Sequence, residues 1–146
     1  MSIREKLASI KATKAAENLA KGQAFLAENA KREGVSALQC GLQYEILKEG
    51  DSDEKPKLSN KVTCHYHGTT IEGKVFDSSV QRNKPATFAL YQVILGWQVG
   101  VQLMSVGSKF RFYVPADMAY GNEQVGMHIA PNSMLIFEVE LLGISN

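Results

Sequence analysis

The stretch MLIFEVELL at residues 134–142 decides the fold, because its side chains alternate with a period of two. Four apolar side chains share one face of this stretch and three others share the opposite face: Leu135, Phe137, Val139 and Leu141 against Ile136, Glu138 and Glu140. Such alternation is typical of a β-strand with one face in a core. Similar patterns predict further strands at Leu42–Ile46, Val62–Thr69, around Phe88 and at Ser108–Val114.

One short helix is predicted between these strands. Trp97, Val101 and Met104 fall on a single helical face, and Gly107 follows as a terminator. Residues 48–61, KEGDSDEKPKLSNK, hold almost no apolar side chain and predict an exposed loop. The sequence from Leu42 onward is therefore typical of an α+β domain, in which an antiparallel sheet packs against one short helix.

Residues 2–33 predict one long α-helix that precedes the sheet. Ser2 and Glu5 form a capping box, in which the Ser2 hydroxyl accepts a hydrogen bond from the Glu5 amide. Lys31 and Arg32 are expected in the last turn, where cations suit the negative end of the helix dipole. Between these ends, Ala, Lys and Glu supply high helix propensity.

One face of this helix carries mainly small side chains at a 4-3-4-3-4 spacing, namely Ala8, Ala12, Ala15, Leu19, Gly22 and Leu26. Such a seam lets a second helix approach closely. We therefore expect the helix to be a dimerisation element, with a second copy of the chain as partner. A monomeric chain with a solvated helix is the alternative.

Composition and charge indicate one globular domain with an appendage. The chain has 146 residues, of which 45% are hydrophobic, and 16 Lys and Arg balance 15 Asp and Glu. Nucleic-acid binders carry a basic stripe, so this balance argues against a nucleic-acid partner. The segment to residue 33 has seven basic and four acidic side chains, whereas the remainder has nine and eleven. The predicted parts are a helix and linker at 1–41 and a domain at 42–146.

The expected location is cytoplasmic. No apolar run approaches the ~18 residues that a membrane-spanning helix needs, so no membrane partner is expected. The first 22 residues lack the continuous apolar core of a signal peptide. In a reducing compartment, Cys40 and Cys64 are expected to be free thiols.

No motif of a hydrolase, a phosphate-binding loop or a zinc protease occurs in the sequence. His65 and His67 lie two apart on a predicted strand and share one face, so together they are candidate metal ligands. A pair of surface histidines is the favoured interpretation, because no nearby cysteine or second pair completes a metal site. We therefore expect neither a metal nor a cofactor.

Six aromatic side chains come from different strands and loops, namely Tyr66, Phe76, Phe88, Trp97, Tyr120 and Phe137. The core of a small sheet domain accounts for most of them. Trp97, however, follows Gly96 at a predicted helix start, where we expect exposure, and Asp77 places a carboxylate beside the apolar cluster. A concave apolar site with a few polar groups is typical of a ligand pocket.

The order of several segments resembles the FKBP-type peptidyl-prolyl isomerases. The resemblance covers about residues 42–144, and the helix ahead of it resembles the extension found in the macrophage-infectivity-potentiator branch. The matching segments are VTCHYHG at 62–68, GKVFDSS at 73–79, RNKP at 82–85, VILGW at 93–97, MSVG at 104–107, AYG at 119–121, IAPN at 129–132 and LIFEVEL at 135–141.

This resemblance implies a half-open antiparallel sheet wrapped around one short helix, and it implies a pocket. Trp97 is expected under a substrate proline ring, and Ile129 is expected to close the loop side. The Ile94 amide and the Tyr120 hydroxyl are the expected donors to ligand carbonyls. The resemblance further implies walls from Tyr66, Phe76, Val93, Ile94 and Phe137, a substrate contact from Phe88, and an Asp77–Arg82 pair at the rim.

The activity implied by the resemblance is cis–trans isomerisation of X-Pro peptide bonds during protein folding. The implied partners are proline-containing peptides, unfolded proteins and macrolide inhibitors of the rapamycin type. Two alternatives remain: a chaperone that binds proline peptides with little turnover, and a module whose pocket docks a protein partner. An isomerisation assay set against an aggregation assay discriminates the enzyme from the chaperone.

Overall fold

The computed structural model describes residues 2–146, in which the strands form one sheet of seven. Within that range, no helix is both long enough and apolar enough to cross a membrane. The helices are α1 (Ile3–Asn29) and α2 (Leu95–Val101), and the strands are β1 (Val35–Ala37), β2 (Gln43–Lys48), β3 (Lys61–Thr69), β4 (Val75–Ser78), β5 (Ala86–Ala89), β6 (Lys109–Val114) and β7 (Leu135–Ser145), with 3-10 turns at Leu90–Gln92 and Ala116–Met118.

The sheet is antiparallel and follows the order β1-β2-β6-β7-β3-β4, while β5 pairs with β3. Strand β3 pairs along its whole length with β7, at its start with β5 and at its end with β4. Its inward side chains, Val62, Cys64 and Tyr66, join the main hydrophobic core, to which α2 contributes Trp97 and Val101. The predicted α+β class, an open antiparallel sheet with one short helix after a long N-terminal helix, is confirmed.

The sequence does not predict β1 and β4, because β1 has only three residues and VFDS in β4 does not alternate between apolar and polar side chains. Strand β1 pairs with β2, so it joins the sheet across the predicted boundary between residues 41 and 42. That boundary stays a prediction. Strand β7 continues to Ser145, beyond the predicted end at Leu142, because its last residues pair with the start of β3.

Helix α2 lies unusually close to the sheet. A Cβ atom on Gly96 would come 2.5 Å from Val114 Cγ1, and one on Gly100 would come 2.6 Å from Phe112 Cε1. The helix begins at Leu95 and ends at Val101, earlier than the predicted span of 97–104. The expected exposure of Trp97 is wrong: its side chain is only 4% exposed, because two preceding residues already belong to the helix and turn the indole inward.

Helix α1 begins as predicted, with the Ser2 hydroxyl accepting from the Glu5 amide at 3.1 Å. It ends at Asn29, however, and not at residue 33, so Lys31 and Arg32 lie beyond its last turn. The Asn29 side-chain amide donates to Gln43 Oε1 at 2.9 Å, and Arg32 reaches Glu45. These contacts with β2 outweigh the weak dipole preference on which the predicted end rested.

The second half of α1 docks on its own domain. Gly22 is buried, and a Cβ atom there would lie 3.3 Å from Met134 Cγ. The Phe25 and Tyr113 rings pack at 6.0 Å between centroids. Part of the predicted small-residue seam therefore does not face a second helix, because Gly22 packs against Met134 of the same chain. In the first half of the helix, the exposed large apolar side chains are Ile3, Leu7 and Ile10.

Candidate functional site

A cavity of about 520 Å³ opens beside α2. Strands β3, β4, β5 and β7, the connector before α2 and the loop at 120–129 all contribute side chains to it. Ten of the eleven site residues predicted from the sequence line this cavity: Tyr66, Phe76, Asp77, Phe88, Val93, Ile94, Trp97, Tyr120, Ile129 and Phe137. Arg82, the eleventh, is not a lining residue, but it contacts Asp77 and Tyr66 at the rim. Their functional roles stay predictions.

Trp97 is the centre of an aromatic cluster. The Tyr66, Phe88 and Phe137 rings approach it nearly edge-on, with centroids 5.5, 5.6 and 5.5 Å away. Edge-to-face pairs at this spacing stabilise each other through their quadrupoles. The Trp97 Nε1–H has no hydrogen-bond partner within residues 2–146. The indole is thus held from three sides by rings that leave little freedom for it to move.

Gly68 makes room for two of the cavity walls. It lies opposite Phe137 across β3 and β7. A Cβ atom at Gly68 would come 2.6 Å from Phe76 Cζ and 3.0 Å from Phe137 Cε1. The Phe76 and Phe137 rings meet edge-on at 5.4 Å between centroids, in the space that a side chain would take. The shape of the cavity wall therefore depends on the missing side chain.

A polar trio forms the rim. The Tyr66 hydroxyl donates to Asp77 Oδ2 at 2.6 Å, and Arg82 donates to Asp77 Oδ1 at 2.5 Å and to the Tyr66 hydroxyl at 3.0 Å. Burial by itself would raise the pKa of Asp77, but the hydrogen bonds from Tyr66 and Arg82 bring this pKa below its ordinary value. Burial and the bond to Asp77 raise the pKa of Tyr66. Asp77 is thus a carboxylate and Tyr66 a phenol at neutral pH.

Two hydrogen-bond donors lie at the cavity. Ile94 precedes α2, and its N–H makes no backbone hydrogen bond within residues 2–146, while its carbonyl accepts from Trp97 and Gln98. The Tyr120 side chain is 36% exposed. Burial, and secondarily the charge of Asp77, raise the pKa of Tyr120, so its hydroxyl stays protonated and able to donate.

Five residues that line the cavity were not among the predicted site residues. Gln92, Gly126 and His128 also line it, together with Val125 and Met127. All but Gln92 belong to the loop after Tyr120, where no periodic pattern marks an orientation. The Met127 side chain, 92% exposed, extends the apolar surface outward.

His65 and His67 lie outside this site. Both alternate with the inward-facing Tyr66 along β3, and each imidazole Nδ1 pairs with a serine hydroxyl at 2.9 Å, Ser79 for His65 and Ser78 for His67. Among residues 2–146, no cluster of three or more His, Cys, Asp or Glu side chains has metal-binding geometry.

The chain matches two family models. Residues 52–142 match the model of the FKBP-type peptidyl-prolyl cis-trans isomerases, and residues 1–46 match the model of the domain amino-terminal to these isomerases. The N-terminal helix and the sheet domain are thus matched separately and in the expected order.

Sequence comparison with individual known proteins indicates the same family. The chain is 53% identical over 130 residues to the FKBP-type peptidyl-prolyl cis-trans isomerase FkpA of Aeromonas hydrophila, covering 89% of the chain and 48% of FkpA. It is 49% identical over 131 residues to the outer membrane protein MIP of Legionella longbeachae, covering 90% of the chain and 56% of MIP.

The chain therefore spans about half the length of these curated relatives. The crystal structure of FkpA from Escherichia coli superposes with a TM-score of 0.91 at 38% identity, covering 97% of this chain and 66% of that one. The chain belongs to the FKBP-type peptidyl-prolyl cis-trans isomerase family, in the branch that contains FkpA and MIP.

Proposed function

We propose that this chain catalyses cis–trans isomerisation of X-Pro peptide bonds. The observation that carries the proposal is the apolar cavity with Trp97 at its centre and the two donors, Ile94 and Tyr120, beside it. Family membership supports the same activity. The substrates are proline-containing peptides and unfolded proteins.

The reaction needs no nucleophile, since no covalent bond breaks. An X-Pro bond rotates over a barrier of about 18–20 kcal/mol, because twisting destroys amide resonance. The twisted amide has less charge separation than the planar one, so an apolar cavity favours it. An enzyme that binds the twisted form more tightly than the planar form lowers the barrier.

The cavity residues have distinct roles in this proposal. Trp97 and Phe137 contact the proline ring and exclude water from the amide. The Ile94 N–H and the Tyr120 hydroxyl hold substrate carbonyls while the bond turns, at little cost in reorganisation. Asp77 stays ionised at the rim and holds the Tyr66 ring in place, so it acts on the wall and not on the amide.

The test is the rate of cis–trans exchange of a short X-Pro peptide, followed by NMR without a coupled protease. We expect Trp97→Leu to lose at least about tenfold in kcat/KM, which corresponds to about 1.4 kcal/mol of transition-state stabilisation. Leu58→Ala is the matched control, because Leu58 is exposed and outside the cavity. Full activity in Trp97→Leu, or none in the unaltered chain, rejects the proposal.

A second proposed function is the holding of unfolded chains without turnover. It rests on exposed apolar side chains: Met127 lines the cavity, and Tyr91 and Leu95 are next in sequence to lining residues; they are 92%, 57% and 50% exposed. Such a surface binds extended apolar segments of a client. The chain should then suppress aggregation of an unfolded protein, and Tyr91→Ser, outside the cavity lining, should weaken that effect while peptide isomerisation changes little. Unchanged aggregation in the presence of the chain contradicts it.

A homodimer through α1 is also proposed. Ile3, Leu7 and Ile10 follow one helical stripe and are 78%, 56% and 58% exposed, which leaves an apolar face without cover from the chain itself. A second copy of the helix offers a matching face. Light scattering over a concentration series should give a mass above that of the monomer, and the Ile3→Ser/Leu7→Ser variant should lower it. A constant monomer mass contradicts the dimer.

Two further expectations concern inhibitors and cellular location. Macrolides of the rapamycin type are proposed to occupy the cavity and compete with peptide, which quenching of the single Trp97 would report. The cytoplasmic location stays a prediction from the sequence, and fractionation of cells that express the full-length protein tests it.

A further inference from the structure

The loop from Gly121 to Pro131 forms one wall of the cavity but has few internal contacts. Its main internal tie is a two-bond bridge between Val125 and Ile129, with N···O distances of 2.9 and 3.3 Å. The stem of the loop is closed by one bond, in which the Asn132 amide donates to the Gly121 carbonyl at 2.8 Å. The position of the buried Ile129 side chain at the cavity therefore depends on how firmly this stem is held.

Helix α1 contacts this stem through a reciprocal pair of hydrogen bonds. The Asn18 side-chain amide donates to the Pro131 carbonyl at 2.9 Å. The Asn132 side-chain amide donates to the Ala15 carbonyl of α1 at 3.2 Å. Asn132 has a φ of +58°, in the left-handed region that asparagine tolerates better than most residues. One asparagine thus closes the loop with its backbone and binds the helix with its side chain.

Apolar packing fills this joint only in part. A cavity of about 220 Å³ lies between α1 and the domain, and Asn132 lines it with Leu19, Leu26 and Met134. Side chains that border an open space lose packing contacts on that side. The two amide hydrogen bonds are therefore the direct polar contacts between α1 and the stem, beside incomplete packing.

We propose that α1 positions the isomerase pocket, and that Asn18 and Asn132 are the positioning residues through which it acts. The inference rests on the proposed isomerase function. Without the clamp, the stem opens more often and Ile129 leaves the cavity wall for part of the time. Substrate affinity then falls by the fraction of molecules with a complete pocket. Substrate binds only the complete pocket, so bound substrate keeps its contacts with Trp97, Phe137 and Tyr120 and its turnover is little changed.

The experiment compares Asn18→Ala and Asn132→Gly with the unaltered full chain. Glycine keeps the left-handed backbone at position 132 and removes only the side-chain amide. We expect KM for an X-Pro peptide to rise about three- to tenfold, with kcat within about twofold. The rise in KM of the double variant should be smaller than the product of the two single rises, because both residues belong to one clamp. Thr13→Ala is the matched control, since its hydroxyl bonds only to Ser9 within α1.

Two readouts separate a positioning role from general damage. Urea unfolding reports the global stability of each variant, and hydrogen exchange of the Ile129 amide reports the loop. The proposal requires faster exchange at Ile129 while core strands such as β7 keep their protection. Unchanged KM and exchange in both variants overturn it, as does a fall in kcat that simply follows the loss of stability.

Failure of the proposed function is distinguishable from failure of this inference. If the unaltered chain does not isomerise peptides, the isomerase proposal fails. The clamp is then judged by the dissociation constant of the same peptide, measured from Trp97 fluorescence, and by the exchange at Ile129. Weaker binding and faster exchange in both variants support it, and equal values in all chains overturn it.

Discussion

At the scale of single residues, Gly68 shows how one missing side chain shapes the cavity. The Phe76 and Phe137 rings occupy the space in which its Cβ atom would lie. Both rings are held by other contacts, Phe137 by Trp97 and Phe76 by Phe137 itself, so neither can move without disturbing the cluster. A side-chain atom added at Gly68 therefore displaces at least one of the two rings that form the pocket wall.

We predict that Gly68→Ala damages activity and stability together. The added methyl overpacks the wall, which should cost about 1–3 kcal/mol of unfolding free energy, and the displaced rings should lower kcat/KM. The measurements are urea unfolding and peptide isomerisation. Gly143→Ala is the matched control, because a Cβ atom at Gly143 in β7 meets nothing within 4 Å. Equal behaviour of the two variants would contradict the packing argument.

The ionisable groups of the cavity rim predict a flat pH profile. The pKa of Asp77 is lowered, and the pKa values of Tyr66 and Tyr120 are raised, so none of the three changes charge near neutrality. We expect kcat/KM to be constant between about pH 5 and 9 and to fall only as Asp77 gains its proton, below its ordinary pKa of about 3.9. A bell-shaped profile centred between pH 6 and 7 would contradict this prediction.

At the scale of elements, α2 organises the connector that precedes it. Gln98 lies on this helix, and its Nε2 donates to the carbonyls of Val93 at 2.8 Å and Tyr91 at 3.2 Å. These bonds join the helix to the segment that carries Val93 and Ile94 into the cavity. The direction of the Ile94 N–H, one of the two donors, therefore depends on a side chain that itself lies outside the cavity lining.

We predict that Gln98→Glu weakens peptide binding. The carboxylate has no donor and repels the two carbonyl oxygens, so the connector loosens and KM should rise about threefold or more, in line with a lost hydrogen bond of about 1 kcal/mol. Gln102→Glu is the matched control, because the Gln102 side chain donates to the Gln98 carbonyl one turn earlier in α2 and not to the connector. Isomerisation kinetics of both variants with a short X-Pro peptide give KM. An unchanged KM in Gln98→Glu, or an equal rise in the control, would contradict this prediction.

At the scale of the whole molecule, a charge network holds the segment after α1 on the sheet. Glu45 Oε1 accepts from Arg32 at 3.1 Å, from Arg111 at 3.0 Å and from the Tyr113 hydroxyl at 2.5 Å. Arg111 also donates to Glu138 at 3.0 Å, which extends the network to β7. The Glu45 side chain is only 15% exposed, so these partners replace most of its water.

We predict that Glu45→Gln lowers stability by about 1–3 kcal/mol at pH 7, since a charged acceptor with three donors is lost. Burial would raise the pKa of Glu45, but the bonds from Tyr113, Arg32 and Arg111 bring it below its ordinary value. A lowered pKa in the folded state stabilises the fold above the unfolded pKa, and this gain is lost as the pH falls through the folded pKa.

Urea unfolding at several pH values between 3 and 7 measures both effects. The unaltered chain should lose stability below about pH 5, where an unfolded glutamate with a pKa of about 4.3 begins to bind its proton. The Glu45→Gln variant should lose less over the same range. Parallel curves for the two proteins would show that Glu45 does not couple the fold to protons.

The sequence by itself determined the features that depend on residues close together in the chain or on a known family pattern. The alternation at 135–141 predicted β7, the Ser2–Glu5 pair predicted the start of α1, and matching segments in family order predicted ten residues of the cavity lining. Each of these signals is local, or repeats a known pattern. The same local signals failed at the end of α1 and at the short strands β1 and β4, where contacts across the sheet decide.

The tertiary structure alone decided which surfaces meet. The small-residue seam of α1 offers the same pattern to a second helix and to its own domain, and only the fold puts Gly22 against Met134. Likewise, nothing near Asn18 or Asn132 in the sequence indicates that Asn18 donates to Pro131 and Asn132 to Ala15, more than a hundred residues away. The physical reason is that side-chain periodicity records which face of an element is apolar, whereas the partner of that face depends on the path of the whole chain.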